Sequence, residues 1–412
     1  MNSGGAEPVQ PSAARREAAF AFIFATVLLD VLSIGIIIPV LPKLVVDFMG
    51  GDTVQAARFF GLFGTAWALM QFVSSPVQGA LSDAFGRRRV ILISNLGVGL
   101  DYVLMALAPT VWWLFVGRVI SGITSASIAT AYAYVTDVTP PEKRAARFGL
   151  LGAAFGAGFV FGPALGGLTG SISPRLPFWI AAAFSLANAA YGFFVLPESL
   201  PPSARAPFAW RRANPLGALK LLRSHNELFG LAGVNFLDNL AHAVFPSVGV
   251  LYMSYRFGWS TRDVGFTMAG VGVASIVVQG AIVGPVTLRV GECAALLLGI
   301  AFGVVGFLVF ALAPTGPVFW LGIPILALWG LASPASMSLM SRNVSAQEQG
   351  RLQGANASIA GIANLLGPGL FTQTFALAIG AGRDWHMPGA PFIVSAFLLV
   401  AAVVVAWRTT RA

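Results

Sequence analysis

Four ionisable side chains interrupt stretches of this sequence that are otherwise apolar: Asp30, Asp101, Arg118 and Asp238, with His242 one helical turn beyond Asp238. In a helix surrounded by hydrocarbon, such a group costs roughly 2.5–3.5 kcal/mol on insertion scales, so each is a functional candidate by default. The chemistry open to them is proton exchange and recognition of a charged solute. A carboxylate in that setting takes up a proton or holds a cation, and a fixed arginine keeps a neighbouring acid ionised until something displaces it. Each residue also has a plainer reading. Asp30 could serve in a structural pair, Asp101 could lie near a helix end within reach of water, and Arg118 could form an interhelical bond. Gln71 is uncharged, and either binds a solute or bonds a neighbouring helix. Asn235, Asp238, Asn239 and His242 recur at spacings of three and four, which sets Asp238 and His242 on one helical face. That stripe faces a cavity, or is a buried Asp–His pair that locks helices. His225 and His386 fall in or near expected loops and need no functional explanation.

The elements that must position these residues follow from composition. Of 412 residues, 57% are hydrophobic and only 10% charged, too few charges to cover the surface of a water-soluble domain. Spans of about 20 apolar residues cross a bilayer, and twelve are expected: 19–43, 57–80, 90–109, 112–135, 147–170, 176–197, 228–252, 263–285, 293–313, 317–341, 352–376 and 388–408. The 47 glycines and 25 prolines suit membrane helices that pack through small residues. Met1 to Arg16 is polar, and the first apolar run leads into a full-length span with no clear cleavage site.

A net charge of +9 does not indicate a nucleic-acid partner, because the charges are dispersed. Of the 25 Lys and Arg, 18 fall on alternate connections and at both ends, six on the opposite connections, and Arg118 inside a span. The positive-inside rule then places both termini in the cytoplasm. The single cysteine, Cys293, excludes an intramolecular disulfide and offers no metal cluster.

A Pro-, Arg- and Ala-rich stretch at mid-chain reads as the boundary between halves. The expected division is a cytoplasmic segment 1–18, a six-helix bundle 19–197, a cytoplasmic linker 198–227 and a second bundle 228–412. A repeat supports it. An offset of 205 residues maps Gly79 and Gly86 onto Gly284 and Gly291, and Gly149, Gly156, Gly162 and Pro163 onto Gly354, Gly361, Gly367 and Pro368. Several matches at one offset of half the chain length indicate duplication, and parallel six-span repeats around a midplane site are a transporter architecture.

Two motifs stand out. Gly79-x-Leu81-Ser82-Asp83-x-x-Gly86-Arg87-Arg88-Arg89 is expected in the short loop between spans two and three, where Asp83 caps a helix or pairs with an arginine. A basic loop that merely sets topology would explain the arginines but not Asp83 or the glycine spacing. The fifth span carries Gly152, Gly156, Gly158, Gly162, Pro163, Gly166 and Gly167, a density of small residues that lets another helix approach closely.

Together these motifs resemble the major facilitator superfamily. The first resembles its cytoplasmic gate motif, and the second is similar to the motif of its drug–proton antiporters. Arg118, in Gly117-Arg118-Val-Ile-Ser-Gly122, matches the buried arginine of span four implicated there in proton coupling. Leu29-Asp30 through Pro39-Val-Leu-Pro42, Leu69-Met-Gln71-Phe, Asp101-Tyr102-x-x-Met105 and Leu196-Pro-Glu198-Ser resemble the tetracycline–proton antiporters. The resemblance implies an all-α membrane protein with twelve transmembrane helices in two pseudo-symmetric bundles. It implies a monomer in the inner membrane of a bacterium that exports a drug-like small molecule by alternating access. No cofactor is implied, only a proton gradient. The second half departs from the family pattern: Phe302 or Ala301 stands where those exporters carry an acid in span nine, and Ser275 where they can carry a histidine. In the gate motif, Ala84 replaces the usual arginine. Asp238 and His242 are the expected replacements. A uniporter or symporter of a small metabolite is the rival within transport, and a receptor or scaffold the rival outside it. No nucleophile–base constellation points to an enzyme.

Overall fold

The computed structural model describes residues 13–124, 127–210, 214–223, 226–345 and 348–411. Residues 1–12 of the N-terminal segment, Arg211, Arg212 and His225 lie outside them. Twelve helices are long and apolar enough to cross a membrane: α1 (Ala19–Phe48), α2 (Thr53–Phe85), α3 (Arg87–Leu107), α4 (Val111–Val138), α5 (Pro141–Ile172), α6 (Leu176–Val195), α7 (Glu227–Phe257), α8 (Thr261–Val290), α9 (Glu292–Leu312), α10 (Gly316–Arg342), α11 (Gln349–Ile379) and α12 (Ala390–Thr410). Every expected span is present, and many run several residues further. At 33 residues α2 is about 50 Å long, well beyond the roughly 30 Å of hydrocarbon that hydropathy senses. The first helix likewise begins at Ala13, inside the segment expected to precede it. No strand occurs among the described residues.

The helices pack as two groups. In the first, α1 lies against α5 and α6, α3 against α6, and α2 against α4. In the second, α9 lies against α10 and α12, and α12 against α7. Buried apolar clusters fill each group, one of them centred on Phe307, Phe310, Phe319 and Phe392. Ile93, Phe194, Leu321 and Phe397 are exposed on the outside, as a lipid-facing surface requires.

Two antiparallel seams, α5 with α8 and α2 with α11, join the groups. The glycine run of α5 supplies backbone-level contact on two faces. Gly158, Gly162 and Gly166, spaced by four, meet Val31, Gly35 and Ile36 of α1. Gly156 and Gly167 point the other way: a Cβ on Gly156 would stand 3.2 Å from Ile276, and one on Gly167 3.0 Å from Gly265 Cα of α8. In the second seam Gly64 meets Pro368, and Gly361 meets Phe72. Small residues matter here because lipid tails are as apolar as side chains. Association therefore rests on close packing rather than on exclusion of water.

The α5–α8 seam stops half-way. Past Gly156 and Ile276, a Cβ on Gly152, Gly149, Gly280 or Gly284 would meet nothing within 4 Å. The groups touch at one end of the molecule and part at the other, so a cavity opens on the side that carries the α2–α3 connection and the central linker. The described residues of the linker include short 3-10 segments at Pro202–Ala204 and Gly217–Arg223. Ser358 of α11 donates a hydrogen bond to the Pro215 carbonyl.

Position along the packed faces of α5 and α8 should decide tolerance. Gly265→Leu, or Gly162→Leu, is expected to destabilise the purified protein by about 1–3 kcal/mol through overpacking, read as a fall in thermal midpoint. Gly152→Leu should leave the midpoint unchanged.

Candidate transport site and gate

Asp101 is fully buried on α3, not near a solvated helix end as its place in the sequence suggested. Helix α3 ends only six residues later, where the Arg175 guanidinium donates to the Ala106 and Ala108 carbonyls and closes that end. Gly117 of α4 makes room for the carboxylate: a Cβ there would stand 2.7 Å from Asp101 Oδ1. Arg118, the next residue, places Nη2 3.9 Å from Asp101 Oδ2 and 3.4 Å from Met105 Sδ. Neither Asp101 oxygen has a hydrogen-bond partner among the described residues. The two charges therefore face each other at ion-pair distance without a hydrogen bond between them.

Asp30 is half-buried on α1, where Asn188 of α6 donates to its Oδ1 at 3.1 Å and to the Thr26 carbonyl at 3.2 Å. Asn188 was missed, although it is a buried amide in a very apolar helix and that isolation was a usable signal. Gln71 is half-buried on α2 and, among the described residues, bonds no neighbouring helix. That tie is made two turns on by Gln78, which donates to the Ile123 carbonyl and accepts from Ser94.

On α7 the expected polar stripe divides. Asn235 accepts from Ser336 of α10 at 2.6 Å and donates to Asn356 of α11 at 3.3 Å, while Asn239 donates to the Asn235 carbonyl. Asp238 and His242 form no ion pair, so the reading of a locked Asp–His pair is corrected. Both turn instead to Trp329 of α10. Its Nε1–H donates to Asp238 Oδ1 at 2.6 Å, and its ring centroid lies 5.2 Å from that of His242. The His242 side chain is exposed although it lies far from either end of α7, which places it on the open cavity. Trp329 carried no signal in the sequence, being one apolar residue among many.

The gate motif is helical rather than a loop. Asp83 sits in the last turn of α2, Arg87 opens α3, and a single residue joins them. That residue, Gly86, has φ +104°, and a Cβ there would collide with Glu198, so only glycine fits. Arg87 is the hub. Its Nη1 lies 2.5 Å from Asp83 Oδ1 and donates to Ser82 Oγ, its Nε lies 3.3 Å from Asp137 Oδ2 of α4, and its backbone N–H donates to Glu198 Oε1 at 2.9 Å. Arg88 donates to the Phe193 carbonyl, Ser199 donates to Asp137, and the Ala206 N–H donates to the Asp83 carbonyl. The start of the linker is therefore part of the gate. Gly79 meets no neighbour within 4 Å.

The second half repeats this arrangement with its signs reversed. At the same 205-residue offset, Arg87 becomes Glu292 and Asp137 becomes Arg342. Those two also pair, at 2.7 Å, beside Gly291 with φ +80°.

Twelve helices in two packed groups, a cavity between them and a duplicated charged cluster at the helix ends define a solute transporter of the major facilitator kind. The Major Facilitator Superfamily model matches residues 23–368, and the chain belongs to that superfamily. It is 38% identical to the tetracycline resistance protein, class C, of Escherichia coli, over 91% of this chain and 95% of that one. It is 36% identical to the class G protein of Vibrio anguillarum, over 87% and 90%. Among solved structures, it superposes with a TM-score of 0.74 at 17% identity on a bacterial homolog of the human lysosomal transporter Spinster. That structure is inward-facing and unoccupied, and the match covers 97% of this chain and 98% of that one.

The reversed pair predicts an asymmetric response to charge exchange. Glu292→Arg alone should destabilise the protein and Glu292→Arg with Arg342→Glu should recover most of the loss, a coupling of up to about 1 kcal/mol for a pair whose arginine is exposed. The same exchange at Arg87 and Asp137 should not recover, because Asp83 and Glu198 would then face a new carboxylate. Thermal midpoints of the single and double variants decide it.

Proposed function

We propose that this chain is a proton-coupled exporter of tetracycline-like, drug-sized amphipathic molecules, working as a monomer in the inner membrane of a bacterium with both termini in the cytoplasm. The charge bias of its connections supports that orientation, and the curated relatives support the substrate class. No cofactor enters; the proton gradient and membrane potential supply the driving force, about 2.3 kcal/mol per charge per 100 mV.

One observation carries the mechanism: the buried Asp101–Arg118 pair, held at 3.9 Å with no hydrogen bond between its members. A pair of this kind gains little from its contact and depends on both partners being charged. A proton on Asp101 cancels it and frees Arg118, which links loading of the acid to the packing of α3 against α4. In this orientation the cavity opens to the cytoplasm. Substrate enters beside Gln71, Asp30 and His242, the halves rock about the α5–α8 and α2–α11 seams, and release on the far side is followed by proton uptake and reset. Closure on the cytoplasmic side brings Gly149 and Gly152 towards Gly280 and Gly284 and the gate residues towards the second half.

The test is tetracycline uptake into energised inverted vesicles. Accumulation should be abolished by a protonophore, and Asp101→Asn should reduce it at least tenfold while the amount of inserted protein is unchanged. Uptake insensitive to the protonophore would remove proton coupling. No uptake of any member of a drug panel would remove the exporter reading.

A further inference from the structure

Helix α10 is not continuous. Residues Leu328–Leu331 form a 3-10 turn in mid-membrane, between α-helical segments Gly316–Ala327 and Ala332–Arg342. The sequence weakens the helix here without forcing the break, since Pro163 and Pro368 sit inside continuous α-helices. Pro334 has no N–H for the Gly330 carbonyl and its ring crowds that position, while Pro324 interrupts the turn before. The neighbouring helix is irregular at the same level. Residues Val278–Ile282 of α8 form a π-turn, just ahead of Pro285. The two defects pack on each other: a Cβ on Gly330 would stand 3.6 Å from Val278 and 3.8 Å from Gln279. Mid-helix 3-10 and π segments commonly mark hinges and functional sites.

At the centre of the 3-10 turn is Trp329. Its ring is buried against Phe307 of α9, with centroids 5.3 Å apart, and its N–H donates to Asp238 at 2.6 Å. The carboxylate of α7 is thus fastened to the hinge of α10 by one charge-assisted hydrogen bond. Burial and this N–H are the influences on Asp238; no charged side chain stands beside it among the described residues. The elements packed on the Asp238 segment of α7, Asn226–His242, are α10, α11, α12 and the 3-10 turn Gly217–Arg223, and they keep their charged groups at their ends: Lys220 before α7, Arg342 paired with Glu292, Arg351 opening α11 and Arg408 closing α12, while Arg256 closes α7 itself. The remaining titratable neighbour is His242, against the same indole ring.

We propose that Trp329 is a positioning residue that transmits the protonation state of Asp238 to the hinge of α10, a reading that rests on Asp238 being a proton site of the exporter. The ionised carboxylate holds the indole and with it the 3-10 turn. A proton on Asp238 weakens the acceptor, and the turn is free to rewind. Rewinding four residues from 3-10 to α geometry shortens the helix by about 2 Å and rotates one half against the other by about 80°. The π-turn of α8 gives the moving segment a deformable neighbour.

The experiment uses full-length protein labelled with 5-fluorotryptophan in nanodiscs, with no transport step, so its failure is distinct from failure of the exporter reading. The fluorine resonance lost in Trp329→Phe belongs to Trp329. It should titrate with pH in the wild type and in His242→Asn, and stay fixed in Asp238→Asn. A resonance that does not titrate, or that titrates equally in Asp238→Asn, overturns the proposal. If Asp238→Asn fails to insert, Trp329→Phe carries the test in inverted vesicles. It keeps the ring and loses the donor, so maximal tetracycline uptake should fall about tenfold with KM within twofold and a displaced pH profile. An unaltered pH profile overturns the proposal.

Discussion

The close approach of α5 to α8, backbone to backbone at Gly167 and Gly265, is the contact on which the rest of the molecule depends. Within a bilayer no water is expelled when two helices meet, so their attraction comes from dispersion between surfaces that fit. Such attraction falls steeply with separation, and a single side chain in the seam removes it. Because the glycines are placed so that contact ends near Gly156, the two groups are joined at one end and free at the other. The cavity, the exposure of His242 and the separation of the gate from the second half all follow from where that seam stops.

Within this frame the buried acids are held in three different ways. Asp101 faces an arginine at ion-pair distance without a hydrogen bond, Asp30 accepts from an amide, and Asp238 accepts from an indole. A buried charge with one imperfect partner adds little to stability, but it responds strongly to the loss of its charge. In the first half the opposing charge stands between α3 and α4. In the second half no charged side chain stands beside Asp238 among the described residues, and its partner, Trp329, belongs to a helix that is already broken.

Duplication preserved geometry more faithfully than sign. Arg87–Asp137 and Glu292–Arg342 occupy equivalent places, each next to a glycine with positive φ, yet the charges are exchanged. The ends of α3 and α4, and of α9 and α10, need attraction between them, and either polarity provides it. What distinguishes the halves is the surrounding charge. Asp83, Glu198 and the linker enclose Arg87, whereas Arg342 is largely exposed.

The sequence by itself determined the twelve spans, the two-fold repeat and the identity of the ionisable residues. A backbone in hydrocarbon must satisfy its own hydrogen bonds, which forces long apolar helices that composition reveals directly. It also announced the glycine seam, since small residues at spacings of four can only serve close approach. Tertiary structure alone decided who meets whom. Trp329 reaches Asp238 across 91 positions, Glu198 reaches Arg87 across 111, and Asn188 reaches Asp30 across 158. Hydropathy records that a segment is buried and is blind to its neighbour. The same limit hid the depth of Asp101, the helical character of the gate, and the side on which the cavity opens.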